Sequence, residues 1–465
     1  MRGSRTCTTR AGRLMAAFAL VCALAAPARA ETLAEALAHT YQINRTLNAE
    51  RAKVRAIDEG VPQALAGYRP QVTVGASGGL QAVRNLLPGI GEVSSTLKPW
   101  TAGVTINQTI YNGLRTGNAV RQAEAQVQAA HEALRGIEQD VLLDAVNAYS
   151  NVGRDRALVE VQRANANLLR ELNGVTRRRY DAGDVTPTDV AQTEARMSRG
   201  AADLNAAEIA LAVSQAAYYR VIGLSPGRVI PADPIDALLP RSREAAIEIG
   251  HHEHPAVLVA NYNVDAAQFA VKIAEGTLLP TLSAQGSASR NVQTDTTLGT
   301  ARTDQASIIG QLNIPIYDGG LVASQVRQAK EVYGQRRIEF DVARTQVATA
   351  IVGAWAAYEG ARVAINAAQA EARASATALA GVRKEAEGGQ RTTIDVLNAL
   401  QDQSSARARF VQAQRDRVVA SYTLLSAIGR LDHRRLGLPT PEYDPGTNYQ
   451  QVRDVWGGVR TPSGK

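Results

Sequence analysis

Gly75-Ala76-Ser77-Gly78-Gly79 satisfies G-x-S-x-G, the pattern that sets a serine nucleophile on a sharp strand-to-helix turn. That chemistry needs a helix to follow the serine at once. Here polar and apolar residues go on alternating through Leu80, so Ser77 reads as one position in a strand. His251-His252-Glu253-His254 offers imidazole and carboxylate, the ligand types of zinc. No two of these histidines stand four apart on a helix face and no second ligand cluster accompanies them, so the run reads as a solvated loop. Asn112-Gly113 and Asp318-Gly319 are hairpin-turn dipeptides. Helical pattern follows both, so each is expected to turn a strand into a helix. No enzyme activity, metal or cofactor is expected.

The elements around these residues begin with an export signal. Arg2, Arg5, Arg10 and Arg13 precede the apolar stretch Leu14–Ala26, and Ala28-Arg29-Ala30 has the small-x-small form of a cleavage site. Residues 1–30 are therefore read as a cleaved signal peptide that carries away Cys7 and Cys22. The mature chain is expected to contain no thiol. The 465 residues carry 51 Lys+Arg against 44 Asp+Glu, a net charge of +7. Five of those cations lie in the signal segment, so the mature chain is near balance and lacks the basic footprint of a nucleic-acid binder. Aromatic content of 5% argues against a thick globular core, and abundant alanine suits thin, closely packed helices.

The mature chain is an internal repeat. Val120-Arg-Gln-Ala123 recurs as Val326-Arg-Gln-Ala329, and Ile110-Tyr-Asn-Gly113 as Ile316-Tyr-Asp-Gly319. Gly183, Thr186, Asp189 and Val190 match Gly389, Thr392, Asp395 and Val396 at the same spacing, 206 residues on. Pro70 matches Pro280 four residues further out of step. Such self-similarity indicates duplication. The boundaries expected are 31–223 for the first repeat, 224–255 for a Pro-rich connector, 256–430 for the second repeat and 431–465 for a C-terminal tail.

Each repeat reads as helix, two strands, long helix, turn, helix. Val72, Val74, Ala76 and Leu80 alternate with polar residues, as do Val104, Ile106 and Ile110. In the second repeat Leu282, Ala284 and Ala288 form one strand, and Ile308, Leu312, Ile314 and Ile316 the other. Period-2 runs of about ten residues with one polar face are the signature of a membrane β-barrel. No apolar run beyond residue 30 reaches the 18 residues of a membrane-spanning helix. Val190, Met197, Leu204, Leu211 and Tyr218 fall seven apart, and Leu397, Ser404, Val411, Val418 and Leu425 do the same. That stripe predicts left-handed coiled coils. The Pro-free stretch Leu114–Asn173, about 60 residues, is long enough for a helix of roughly 90 Å. Four strands cannot close a barrel, and an open edge in lipid strands backbone groups at several kcal/mol each. An oligomer is required. The alternative, a periplasmic coiled-coil structural or adaptor protein, accounts for the heptads but not for the strands.

The duplicated Tyr111-Asn-Gly and Tyr317-Asp-Gly-Gly strand exits resemble those of the TolC family of outer-membrane efflux and type I secretion channels. So do the turns Gly183-Asp-Val-Thr-Pro-Thr-Asp189-Val and Gly389-Gln-Arg-Thr-Thr-Ile-Asp395-Val-Leu. The resemblance covers essentially the whole mature chain. It implies a homotrimer in the Gram-negative outer membrane, with a twelve-stranded transmembrane β-barrel and a coiled-coil α-helical barrel crossing the periplasm. The implied partners are outer-membrane lipid, a periplasmic adaptor and an inner-membrane transporter, with no nucleic acid. Arg391 is similar to the family's gate arginine, which bonds an acid on the neighbouring coil, and Asp189 to that acid. Asp395 is similar to the pore-lining acidic ring. Asn398 stands where many members have a second acid, and Ala386 where some have a gate tyrosine. The stretch from Pro439, with Tyr443 and Trp456, resembles a tail packed outside the helical barrel. Thr186 and Thr392 also suit helix capping.

Overall fold

The computed structural model describes residues 30–89, 91–295, 299–462 and 464. The expected signal peptide up to residue 29, with both cysteines, lies outside the described residues. A two-residue strand β1 (Ala30–Glu31) leads into helices α1 (Leu33–Ile43), α2 (Arg45–Asp58) and α3 (Gly60–Leu65). Strands β2 (Gln71–Gly78), β3 (Gln81–Leu87) and β4 (Gly91–Asn112) follow, then helices α4 (Arg115–Asp181) and α5 (Pro187–Ile222). Strand β5 (Arg228–Val229) precedes α6 (Arg243–Glu253) and α7 (Pro255–Gly276). Next come β6 (Thr281–Asp295), β7 (Gly299–Asn313), α8 (Leu321–Glu387) and α9 (Thr393–Ala427). Two short helices, α10 (His433–Leu436) and α11 (Gly446–Val452), complete the described elements.

The duplication shows in the caps as well as in the strands. Thr32 caps α1 through its hydroxyl and Ser242 caps α6 in the same way. Both helices run 11 residues and end on an extended residue, Asn44 or His254. This corrects the sequence reading of 251–254, because His251, His252 and Glu253 form the last turn of α6 rather than a loop. No proline interrupts residues 243–253, and Glu253 is clamped by Arg430 (2.5 and 2.8 Å) and Arg435 (2.9 Å). Those guanidinium bonds, chiefly from Arg430, hold the Glu253 carboxyl down at about 2.

The sheet has the expected four strand positions, cut into five segments. β2 and β3 both pair antiparallel with β4 in one continuous register, Ser77 opposite Thr101 and Gln81 opposite Leu97. The gap at Gly79–Leu80 faces Pro99. Gly79 N–H donates to the Pro99 carbonyl at 3.0 Å, but proline has no N–H to return. β4 pairs onward with β6, and β6 with β7, giving the order β2-β4-β6-β7 with β2 and β7 at the edges. The fourth strand stops at Asn313, opposite Thr281, so Ile314 and Ile316 lie beyond it. Pro280 ends the partner strand and Pro315 interrupts its own, removing donors on both sides.

Register sorts the side chains by face. Val72, Ile106, Gly286 and Ile308 lie in one row, and Val74, Val104, Ala288 and Ala306 in the next. The opposite face carries Thr101, whose hydroxyl donates to Asn291 Oδ1 at 2.7 Å, and Ser287 paired with Ser307 at 2.9 Å. Within one chain the apolar face is bare: Val74 is 79% exposed and Ile308 89%.

The chain folds as two compact units. One comprises the described part of Met1–Asn48 with Gly136–His254 and Val347–Glu442. Its core includes Leu169, Leu379, Leu397 and Leu400, packed against Met197 and Ile394. The second comprises Ala49–Arg135, Pro255–Gln346 and Tyr443–Lys465, and contains the sheet β2-β4-β6-β7. There Val61, Ala123 and Val127 pack with Leu65 and Tyr449. The tail is pinned in this unit: Asn448 Nδ2 donates to the fully buried Asp58 at 2.7 Å, and Arg69 stacks over Trp456 at 4.8 Å. Helices α4 and α8, 67 residues each, contribute to both units, and no described helix is apolar enough to cross a membrane.

Candidate functional site

The two helix-turn-helix tips share one backbone solution. α4 ends with Gly183 at φ +83°, where Asp184 N–H bonds the Arg179 carbonyl (2.8 Å) and Gly183 N–H the Tyr180 carbonyl (2.9 Å). α8 ends with Gly389 at φ +75°, Gln390 bonding Glu385 (2.8 Å) and Gly389 bonding Ala386 (3.1 Å). Both are Schellman closures, which need a left-handed residue and so favour glycine. The next helix then opens on a capping box. Thr186 receives the Asp189 N–H at 3.3 Å, while Asp189 Oδ2 accepts from the Thr186 amide at 3.0 Å and hydroxyl at 2.8 Å. Thr392 and Asp395 repeat this at 3.4, 3.0 and 2.8 Å.

These caps set the electrostatics. The Thr186 hydroxyl and amide hold the Asp189 carboxyl below its usual range, with a smaller pull from Arg179. The Thr392 amide and hydroxyl do the same for Asp395, aided by Arg391. Arg391 donates from Nε to Glu385 Oε2 at 2.9 Å, which raises its own pKa further. Asp189 and Arg391, paired by resemblance, thus have separate partners in one chain: the acid closes a cap and the arginine bonds an acid of its own hairpin.

Around the second tip the structure gathers Arg391, Asp395 and Asn398 along one open groove of about 440 Å³, together with Asp402 and Ser375. Asn398 accepts from Arg196 Nη2 at 3.3 Å, a bond from α5 to α9. Sequence reading missed Glu385, Arg196 and Asp402. Asp402 was findable, since 395, 398 and 402 follow the i, i+3, i+7 spacing of one helix face. Glu385 and Arg196 were not, because their pairing depends on side-chain rotamers and on helix neighbours that periodicity does not reveal.

At the strand exits a helix follows each turn directly. Asn112 Nδ2 donates to Thr116 Oγ1 at 2.6 Å, and Gly113 (φ +68°) leads to Leu114, also left-handed at φ +64°. A Cβ on Gly113 would lie 2.1 Å from the Gly276 carbonyl oxygen, so only glycine fits. In the second exit Asp318 accepts from Gly320 N–H (3.0 Å) and Val322 N–H (2.7 Å), while Gly319 and Gly320 take the two left-handed positions.

Comparison with known proteins agrees with this architecture. Residues 36–224 and 251–430 match the family described as Outer membrane efflux protein. The chain is 41% identical over 440 residues to outer membrane efflux protein BepC of Brucella suis, covering 94% of each. It is 25% identical over 350 residues to outer membrane protein TolC of Vibrio cholerae, covering 72% of this chain and 77% of that one. Its fold matches the crystal structure of the Campylobacter jejuni CmeC outer membrane channel with a TM-score of 0.77 at 16% identity, over 91% of this chain and 89% of that one. With both repeats matched, the chain belongs to the outer membrane efflux protein family, the TolC-like channels of the Gram-negative outer membrane.

Proposed function

We propose that three copies of this chain form a passive exit duct that docks onto a periplasmic adaptor and an inner-membrane transporter, in a tripartite efflux or type I secretion system. The observation that carries the reading is the sheet: one apolar face, one polar face and two open edges, β2 and β7. On the apolar face Trp100 and Tyr111 bracket the exposed aliphatic rows. Eleven residues at about 3.3 Å, tilted about 40°, rise roughly 27 Å, close to the ~25 Å apolar band of a membrane barrel. The polar face then lines the lumen.

The duplication supplies the register of closure. β4 pairs with β6 through Thr105 opposite Ser287. Carried across the repeat, that pair becomes Gln311 of one copy opposite Ser77 of the next. The same register sets Leu312 against Ala76 on the apolar face, so both faces continue through the seam. At the periplasmic tips, Asp395 and Asn398 line the entrance, and Arg391 and Asp189 hold neighbouring hairpins together when it is shut. The chain is read as two repeats joined by a connector and followed by the tail.

Ser77→Cys with Gln311→Cys tests the closure in a mature chain expected to have no other thiol. Facing residues in antiparallel strands lie about 4.5–5.5 Å apart at Cα, within disulfide reach. Oxidation should give a reducible covalent trimer on denaturing gels, and neither single variant should. A covalent dimer as the end product would mean an eight-stranded barrel, and absence of cross-linking would refute the register.

A further inference from the structure

From the row of Ala102 outward, on both sides of Trp100, the apolar face of the sheet turns cationic. The rows run Ala102, Arg290 and Asp304; then Trp100, Val292 and Arg302; then Lys98, Thr294 and Thr300. Arg290 Nε meets Asp304 Oδ1 at 2.6 Å and Arg302 Nη2 meets Asp304 Oδ2 at 2.5 Å, so two guanidiniums share one carboxylate. All three side chains are about half exposed. Lys98 has no carboxylate partner among the described residues, and the Thr294 and Thr300 hydroxyls sit 3.1 Å apart beside it. Arg84, further along the same face, is already matched by Glu92 at 2.7 Å. Three cations therefore face outward against one acid, at the edge of an apolar belt and next to a boundary tryptophan.

This inference rests on the proposed duct. In that duct the helices leave the sheet on the periplasmic side, so the β6–β7 hairpin end reaches the outer leaflet. Charges on a lipid-facing surface are tolerated at the headgroup level, which is where this patch stands. The excess cations call for an anion there. Guanidiniums present paired N–H groups that match phosphate oxygens, and hydroxyls add further donors. We infer that Lys98, Arg290, Arg302, Thr294 and Thr300 form a binding site for the phosphate groups of an anionic outer-leaflet glycolipid. Asp304 orients the two arginines and tempers their charge.

The test is native mass spectrometry of the full trimer in detergent, offered a diphosphorylated glucosamine-disaccharide lipid or its phosphate-free analogue with the same acyl chains. Wild type should retain the phosphorylated lipid about tenfold better, the discrimination expected of a charge-assisted phosphate contact. Lys98→Gln with Arg302→Gln should erase that preference, and Lys330→Gln, outside the sheet, should keep it. Asp304→Asn should strengthen retention, a gain that misfolding cannot mimic. Equal retention of both lipids by wild type would overturn the site, as would displacement by millimolar inorganic phosphate, which would mark a site for free anions. Bilayer conductance of the same preparation separates the two readings. Conducting protein without phosphate preference removes only this site, and protein that never conducts removes the duct with it.

Discussion

The two tips have the same backbone and different chemistry. Gly183 and Gly389, Thr186 and Thr392, Asp189 and Asp395 superimpose in role, down to hydrogen bonds that agree within about 0.2 Å. The residues between and behind them do not correspond. Arg179 of the first tip is replaced by Glu385 in the second, and Val185 by Arg391. Deeper in, Asn173 Oδ1 accepts from the Thr193 hydroxyl at 3.1 Å, with both residues buried. The matching positions in the second hairpin are Leu379 and Ala399, which belong to an apolar cluster. Duplication kept the residues that dictate φ, ψ and capping, while the layer that selects partners diverged.

The largest effect should come from the shared glycines. Gly183→Ala and Gly389→Ala each force a side chain into left-handed backbone, at about 1–2 kcal/mol. Hydrogen exchange across 179–190 and 385–396 should show comparable loss of protection in the two tips. Loss at one tip alone would break the equivalence.

Removing a cap comes next. Thr186→Ala or Thr392→Ala should lower local stability by about 1 kcal/mol. The caps also make a pH prediction. Both aspartates have folded values below the unfolded reference of about 3.9, so their contribution is complete above that pH and fades as pH falls through the folded value. Exchange at the two tips should therefore accelerate together below about pH 4 in wild type and lose that step in the Thr→Ala variants.

Arg391 should affect folding less than either class, because it is a half-exposed side chain paired with an exposed acid. Arg391→Ser should leave trimer yield nearly unchanged and raise resting conductance in planar bilayers. Val185→Ser, at the matching place in the first tip, should change neither yield nor conductance. Equal conductance in wild type and both variants would leave Glu385 as the only role for Arg391.

Much of this was legible in the sequence because it is written in residues with few conformational choices. Gly, Pro, capping threonines and the period-2 strands announced the repeat, the tips and the sheet. The gap at Gly79 was not read from the sequence, because only register shows that Pro99 is the residue facing it. The true extents of β4, 22 residues, and of α6 were hidden. Serines and threonines on the polar strand face carry weak periodicity, and the connector's prolines masked the 11-residue helix between them. The partners of Arg391 and Asn398 were hidden for another reason, since long side chains choose among several near neighbours only once the hairpins are packed.

The finest distinction concerns which acids set ion selectivity at the entrance. Three copies would bring three Asp395 carboxylates around one constriction, and a ring of acids favours cations. Asp402 lies two turns along the same face and lines the same groove, so it supplies a second acid where Asn398 supplies none. Asp395→Asn should remove most of the cation preference, Asp402→Asn a smaller part, and Asp189→Asn, in the matching cap of the first tip, almost none. Asn398→Asp would place its carboxylate at an oxygen now 3.3 Å from the Arg196 guanidinium. An ion pair there would neutralise much of the added charge, so block by trivalent cations should rise only slightly. Adding Arg196→Gln should release that charge and strengthen the block. Reversal potentials across a salt gradient, with the blocker on the periplasmic side, read all five variants. If Asp189→Asn and Asp395→Asn shift the potential equally, the two tips share chemistry as well as backbone, and the pore-lining role of the second tip fails.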